Sequence, residues 1–209
     1  MSDPDSATGA GPGLSEGDSG GGNTTAVGEI WLFGYGSLIW RPDFPFVKKR
    51  VAVVDGWVRK FWQGSHDHRG MPDAPGRVVT LLPAANQQCA GIAFQIAQAE
   101  ALEIFKALDY REKNGYERHT APCLLMEEKR TVECIFYIAT ESNPAFLGPA
   151  PVVDIAQQIN VSAGPSGSNR DYLLQLARAL RDHKLHDEHV FTLEREVLKL
   201  APGGFPGGL

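Results

Sequence analysis

The chain has 209 residues, a formal net charge of −5 at pH 7, three cysteines and 43% hydrophobic residues. This length exceeds what one compact core requires, and no apolar run reaches the roughly 18 residues of a membrane-spanning helix. The first residues lack the pattern of a signal peptide, and the scattered cysteines do not form the even-numbered framework of secreted proteins, so we expect a cytoplasmic protein that binds no membrane.

The first 28 residues are predicted to form a disordered tail. They contain eight glycines and four acidic residues, but no aromatic residue, Lys or Arg. Such a segment cannot bury enough apolar surface to offset its chain entropy. The rest of the chain is nearly balanced in charge, which gives nucleic-acid binding no electrostatic support. We therefore expect one folded domain over residues 29–201 and a flexible tail over residues 202–209.

Seven segments rich in β-branched or aromatic residues, separated by Gly, Pro and Asp turns, predict short β-strands. They are Ile30–Phe33, Val47–Val54, Trp57–Trp62, Val78–Leu82, Ala90–Ile96, Ala121–Met126 and Thr131–Ala139. This many short strands favours a small β-barrel.

Helices are predicted mainly in the last third of the chain, after one amphipathic helix from about Ala99 to Tyr110. Pro151 suits the first turn of a second helix, and Ser168 and Asp187 suit the N-caps of two more. Strands grouped ahead of helices indicate an α+β fold and argue against the alternating βαβ units of a nucleotide-binding sheet.

A glycine-bearing turn, Phe33-Gly34-Tyr35-Gly36-Ser37-Leu38-Ile39-Trp40, follows the first predicted strand. Glycines on both sides of Tyr35 would let the backbone turn through dihedrals closed to other residues and direct its N–H groups toward a bound anion or carbonyl oxygen. A dinucleotide-binding fingerprint is disfavoured because Ile39 stands where a third glycine is required. Ser37 is a poor candidate nucleophile because the motif lacks the final glycine of a nucleophile elbow.

Together with three later motifs, this turn resembles the ChaC-type, glutathione-specific γ-glutamylcyclotransferases from about Ile30 to Leu200. The motifs are Arg77-Val78-Val79-Thr80-Leu81, Arg111-Glu112-Lys113-Asn114-Gly115-Tyr116 and Leu147-Gly148-Pro149-Ala150-Pro151. Each is weak evidence alone, whereas the ordered set at these separations is specific. The resemblance implies a small, mostly antiparallel β-barrel with flanking helices and a helical C-terminal third. It also implies that the protein cleaves glutathione into 5-oxoproline and cysteinylglycine.

The resemblance further implies roles for one loop and one carboxylate. The residues implied to bind the γ-glutamyl group of the substrate are Gly34, Tyr35, Gly36, Ser37, Leu38 and Ile39. Glu112 is implied to be the general base, because the substrate's α-amino group must lose a proton before it attacks the γ-carbonyl. One carboxyl group can act as base and then as acid, so neither a metal nor a redox cofactor is expected. Without the resemblance, the charged segment around Glu112 would be interpreted as a solvated connection.

Binding of the glycine carboxylate of glutathione would require a positively charged side chain. Arg69 and Arg77 lie on turn-rich segments and are candidates for a bidentate contact, although a surface or fold-stabilising role is at least as good an interpretation of both. Two positions depart from the family pattern. Asn114 replaces a usual glycine but tolerates left-handed backbone conformations. Phe146 replaces a usual tyrosine, which removes any hydrogen bond from that hydroxyl group to the substrate.

Two groups of histidines are poor candidates for metal ligands, since neither has a third convergent ligand. They are His66 with His68, and His183 with His186 and His189. Two alternatives to the glutathione-cleaving enzyme stay open. One is a cyclotransferase for other γ-glutamyl amines or dipeptides, and the other is a catalytically silent protein that uses the same fold to bind a partner.

Overall fold

The computed structural model of the protein describes residues 28–111 and 115–201. The predicted C-terminal tail lies outside these ranges, as does all but the last residue of the predicted N-terminal tail. Glu112 also lies outside the described residues. Within the described part of the chain, no helix is long and apolar enough to cross a membrane.

Five strands form a closed barrel. They are β1 (Ile30–Gly34), β2 (Lys48–Ser65), β3 (Gly76–Ile96), β4 (Glu117–Leu125) and β5 (Arg130–Ile138). Their order around the barrel is β1-β3-β2-β4-β5, and every neighbouring pair is antiparallel except β1 with β5, which is parallel. The expected small, mostly antiparallel barrel is therefore confirmed.

The barrel has fewer and longer strands than the sequence predicted. Gly56, at φ +79°, and Asn86, at φ +62°, lie where the pairing of β2 with β3 shifts register just after Asp55. The Gly, Pro and Asp residues between the predicted segments indicated breaks between separate strands. The structure instead has an irregularity in the ladder at this point, beyond which the pairing resumes, so each pair of predicted strands is one long strand.

Four helices of the described chain pack against the barrel. They are α1 (Gln98–Arg111), α2 (Val152–Val161), α3 (Asn169–Asp182) and α4 (Glu188–Lys199), and a hairpin of two short strands, β6 (Ala163–Gly164) and β7 (Gly167–Ser168), precedes α3. Ser168 Oγ accepts a hydrogen bond from the N–H of Asp171, and Asp187 Oδ1 accepts one from Val190, each at 3.0 Å. Both predicted N-caps are confirmed.

The main core joins the barrel interior to α2, α3 and α4, while α1 packs on a separate smaller cluster. Tyr172 of α3 lies at the junction, where its ring makes edge contacts with Trp40 at 5.5 Å and with Phe61 at 5.9 Å between centroids. These aromatic contacts seat α3 against the end of the barrel from which the glycine turn emerges. The three cysteines are free and buried.

Candidate functional site

A cavity of about 870 Å³ opens at the end of the barrel beside α3. Four segments supply most of its lining: residues 35–38, 64–69, 115–116 and 143–145. Its volume falls in the range of about 300–1,000 Å³ that is typical of small-molecule binding sites. The glycine turn and the chain immediately after the Glu112 segment therefore face the same space.

The two glycines of the turn are required by close packing. A Cβ at Gly34 would lie 2.8 Å from the Cβ of Leu38. A Cβ at Gly36 would lie 3.1 Å from Val79 Cγ2 and 3.2 Å from the hydroxyl of Tyr172. Gly36 has φ −121°, and neither glycine is among the residues with positive φ. Packing leaves no room for a side chain at Gly34 and little at Gly36, whose backbone lies outside the regular helical and extended regions.

The turn is fixed to the protein at Tyr35. The hydroxyl of Tyr35 donates a hydrogen bond to the backbone oxygen of Tyr137 in β5 at 2.5 Å. Arg59 Nε donates to the backbone oxygen of Tyr35 at 2.7 Å, and the remaining donors of this buried guanidinium reach Asp187 and the carbonyl of Ala90. Charge-assisted contacts of this kind hold a backbone segment firmly. The turn thus presents a rigid wall to the cavity.

The predicted loop residues divide into two groups. Tyr35, Gly36, Ser37 and Leu38 line the cavity. Gly34 is the last residue of β1 and pairs with Ile92, and the side chain of Ile39 is buried in the main core. The central four residues are therefore placed to contact a ligand, and the two outer residues serve the fold.

Arg69 lies at the cavity. Its Nη1 donates to the backbone oxygen of Ser168 at 3.3 Å, and its guanidinium lies over the ring of Tyr172, 5.5 Å from the centroid. These contacts occupy one donor and one face of the planar group. An arginine held in this way keeps a charged edge for a carboxylate.

Arg77 is buried and is not among the residues that line the cavity. Its Nε donates to Gln158 Oε1 at 2.6 Å, and its Nη1 donates to the backbone oxygens of Phe61 and Gly148, each at 3.1 Å. These bonds join β2, α2 and the turn before α2. Of the two interpretations that the sequence left open for Arg77, the fold-stabilising one matches this geometry.

The chain on both sides of Glu112 reaches the cavity, which is lined by Leu108, Gly115 and Tyr116. Asp109 accepts two hydrogen bonds from Arg118, at 2.8 and 2.7 Å, and one from the hydroxyl of Tyr137 at 2.6 Å. The Tyr137 hydroxyl and then the Arg118 guanidinium lower the pKa of Asp109. Burial, followed by the nearby Asp109 carboxylate, raises the pKa of Tyr137. Both effects keep Tyr137 as the donor and Asp109 as the acceptor.

Several residues that line the cavity are not predicted as site residues from the sequence, among them Tyr137, Asn143 and Tyr172. Asn143 lies in Glu141-Ser142-Asn143-Pro144, which indicates only a turn. Its Oδ1 accepts hydrogen bonds from Gln63 Nε2 at 3.1 Å and from the N–H of Ala145 at 2.8 Å, and its Nδ2 donates to the backbone oxygen of Gly115 at 2.9 Å. No local motif marks these residues, because their partners are distant in sequence.

The histidines serve different purposes in the structure. His66 and His68 line the cavity, and His68 Nδ1 lies 3.0 Å from Ser166 Oγ. His189, in α4, accepts a hydrogen bond from the N–H of Phe61 at its Nε2, 3.0 Å away. Among residues 28–111 and 115–201, no group of three or more His, Cys, Asp or Glu residues is arranged to hold a metal ion. Phe146 is not among the residues that line the cavity.

Comparison with known proteins extends the resemblance over the whole barrel and its helices. The model of the ChaC-like protein family matches residues 30–200. Human glutathione-specific gamma-glutamylcyclotransferase 1 is 39% identical over 178 residues, which cover 83% of this chain and 80% of the human protein. Gamma-glutamylcyclotransferase 2-3 of Arabidopsis thaliana is 42% identical over 175 residues, covering 80% of this chain and 88% of the plant protein.

Solved structures show the same likeness. A crystal structure of a gamma-glutamyl cyclotransferase specific to glutathione from yeast superposes with a TM-score of 0.77 at 31% sequence identity, covering 82% of this chain and 96% of the yeast chain. A second structure, of a gamma-glutamyl cyclotransferase with 15% identity and a TM-score of 0.52, covers 87% of this chain and 93% of its own. This more distant protein shares the fold.

Proposed function

The chain belongs to the ChaC-like protein family, and we propose on this basis that it cleaves glutathione into 5-oxoproline and cysteinylglycine. The observation that carries the proposal is the cavity that the Tyr35–Leu38 turn lines, in a domain similar to glutathione-specific cyclotransferases over four fifths of the chain. The cavity's size supports it, because a tripeptide needs a site of this order.

The reaction is an intramolecular displacement. The α-amino nitrogen of the substrate attacks the γ-carbonyl carbon, and the new C–N bond closes a five-membered lactam. The bond from the same γ-carbonyl carbon to the cysteine nitrogen then breaks. The proton lost by the attacking amine ends on the departing nitrogen, so the reaction consumes no water and requires no oxidant. One carboxyl group within reach of both nitrogens suffices as base and then acid. We assign this role to Glu112.

The glycine turn is proposed to hold the γ-glutamyl group. The turn contains a short 3-10 helix, Ser37–Ile39. Its first hydrogen bond runs from Ile39 N–H to the Gly36 carbonyl, 3.0 Å away. The N–H groups of Gly36 and Ser37 precede that bond and so have no acceptor within the turn. Rigid donors of this kind are suited to the negative charge that develops on the γ-carbonyl oxygen or to the α-carboxylate of the substrate. Fixing the flexible γ-glutamyl chain in its ring-closing conformation accounts for further acceleration.

Arg69 is proposed to bind the carboxylate of the substrate's glycine. Arg41 also lines the cavity, but its side chain is 70% exposed and pairs with Asp43 at 3.1 Å. Arg69 is more enclosed and is held on one face by Tyr172. A second carboxylate distinguishes glutathione from simple γ-glutamyl amines, so a cation here favours glutathione over those substrates.

Product analysis tests the proposed function. Purified protein incubated with glutathione and an excess of chelator is expected to release 5-oxoproline and cysteinylglycine in equal amounts, measured by liquid chromatography and mass spectrometry. Free glutamate in place of 5-oxoproline would show attack by water and contradict the proposal. Binding of glutathione without any turnover would instead favour a catalytically silent binding protein.

A further inference from the structure

The chain is anchored three residues after Glu112, at Gly115. The backbone oxygen of Gly115 accepts a hydrogen bond from Asn143 Nδ2 at 2.9 Å. The orientation of the Asn143 amide follows from its neighbours, since the N–H of Ala145 can only donate and the carbonyl of Gly115 can only accept. Asn143 is 7% exposed. Its amide is therefore committed to Gly115 by the geometry around it.

Gly115 makes this approach feasible. It has φ +87°, and a Cβ at this position would lie 2.5 Å from Asn143 Nδ2. Any side chain would be strained in this backbone conformation and would push the asparagine away. The contact between Asn143 and the chain after Glu112 thus depends on glycine at residue 115.

Asn143 is in turn fixed to the barrel wall. Gln63 of β2, which is 1% exposed, donates its Nε2 to Asn143 Oδ1 at 3.1 Å. The segment after Asn143 is pinned to the same strand, because Gly64 N–H donates to the Ala145 carbonyl at 2.7 Å and Leu147 N–H to that of Trp62 at 2.8 Å. The anchor at Gly115 is therefore connected to β2 through the buried side chains of Asn143 and Gln63.

A second anchor lies three residues before Glu112, at Asp109. This carboxylate is held by Arg118 of β4 and by the hydroxyl of Tyr137 of β5. The backbone oxygen of Tyr137 also accepts the hydroxyl proton of Tyr35. The start of the Glu112 segment and the glycine turn are consequently tied to the same residue of β5.

We infer that Asn143 and Asp109 are positioning residues. They hold the two ends of residues 109–115, the segment that contains Glu112, in place relative to the glycine turn. The inference rests on the proposed role of Glu112 as the general base. A base acts efficiently only within hydrogen-bond reach of the proton that it removes, and a misplacement of about 1 Å can cost on the order of 100-fold in rate. Neither residue is required to touch the substrate for this role.

Asn143→Asp tests the anchor after Glu112, because it keeps the size and the Oδ1 acceptor but replaces the donor to Gly115 with a charged acceptor oxygen that repels the Gly115 carbonyl. We expect kcat to fall by about 10-fold or more while KM changes by less than about threefold. Asn169→Asp is the matched control. Asn169 is also buried, accepts from Arg77 N–H at 2.6 Å and donates to the Arg77 carbonyl at 2.7 Å. This control should lower the melting temperature and leave kcat within about twofold of the wild type.

The double variant with Glu112→Gln gives a readout that a purely structural role would not produce. If Asn143 acts through Glu112, adding Asn143→Asp to Glu112→Gln should not lower the residual rate further. The inference would be overturned if the double variant lost rate by the product of the two single losses. It would also be overturned if a folded Asn143→Asp protein had a kcat near that of the wild type. Full turnover by Glu112→Gln alone would instead remove the proposed base itself, so the two failures are distinguishable.

Asp109→Asn provides a second test that does not depend on the folding of Asn143→Asp. Asp109 is 52% exposed, so its replacement should leave the protein folded. Loss of the charge weakens the contact with Arg118, and we expect kcat to fall by about threefold or more with little change in KM. This loss should also vanish in the Glu112→Gln background. A kcat equal to that of the wild type would show that Asp109 does not position the base.

Discussion

Arg59 and Asp187 form a buried ion pair, with 2.8 Å between Nη1 and Oδ2, that links the glycine turn to the start of α4. The guanidinium also donates to the backbone oxygen of Tyr35, and the other carboxylate oxygen caps α4 through the N–H of Val190. One pair of side chains therefore fixes a wall of the cavity and the end of a helix that covers the barrel. This is a structural role for two charged residues that lie outside the proposed chemistry.

Asp187→Asn should lower the free energy of unfolding by much more than the loss of a helix cap does. Asn remains a good N-cap, but the buried Arg59 charge loses its partner, which typically costs about 3–5 kcal/mol. Ser168→Ala is the control, since it removes the other N-cap at a cost of about 1 kcal/mol. Urea unfolding of both variants measures the difference. An Asp187→Asn loss no larger than that of Ser168→Ala would mean that the ion pair contributes little.

Glu112→Gln should lower kcat by roughly 100-fold or more, the usual range for a positioned acid–base group. The substitution keeps the size of the side chain and removes its capacity to accept a proton at neutral pH. Glutathione binding, measured by calorimetry on the variant, should persist because recognition is assigned to the glycine turn and Arg69. Glu117→Gln is the matched control, as Glu117 is 58% exposed in β4. Turnover lost in Glu117→Gln and kept in Glu112→Gln would transfer the role to Glu117.

Arg69→Met should raise KM for glutathione by about 10- to 100-fold, because a charge-assisted hydrogen bond contributes roughly 1.5–3 kcal/mol. Glutathione esterified at its glycine carboxylate provides the chemical counterpart. Wild-type protein should process the ester with a similarly raised KM, and the variant should not distinguish the ester from glutathione. Continued preference of Arg69→Met for the free carboxylate would contradict the assignment. Arg41→Met, an exposed arginine of the same cavity, serves as control.

Stability should fall as the pH drops from about 6.5 toward 4, in part because of His189. Burial, assisted by the charges of Lys60 and Arg59 against that of Asp187, lowers the pKa of His189 to about 4. The neutral ring accepts the N–H of Phe61. The unfolded chain therefore binds a proton at this residue before the folded protein does, and unfolding becomes easier as pH decreases through this window.

The size of this effect is up to about 3 kcal/mol, since one pKa unit corresponds to about 1.4 kcal/mol. Urea unfolding at pH 7 and pH 4.5 measures it. His189→Gln removes the ionisation, so the variant should show a smaller loss of stability between these two pH values than the wild type. Equal losses in both proteins would indicate that other groups carry the pH dependence.

The sequence by itself determined the features that depend on neighbouring residues. Ser168 and Asp187 cap helices through the N–H groups of residues three positions later, so their patterns were sufficient. The alternation of apolar and polar residues that predicts strands, and the spacing of apolar residues that predicts helices, likewise involve residues that are close together in the chain. The ordered motifs also identified the family, because together they contain the glycine turn and the proposed base.

Only the tertiary structure decided which residues of a motif line the cavity. Arg77 belongs to a family motif, yet its guanidinium is used by Gln158 and Gly148, which are 81 and 71 positions away in the chain. Asn143 belongs to no motif, yet it joins β2 to the chain beside Glu112. The physical reason is that a side chain's role depends on what the closed barrel packs against it. Hydrogen-bond partners brought together by barrel closure leave no periodic pattern along the chain.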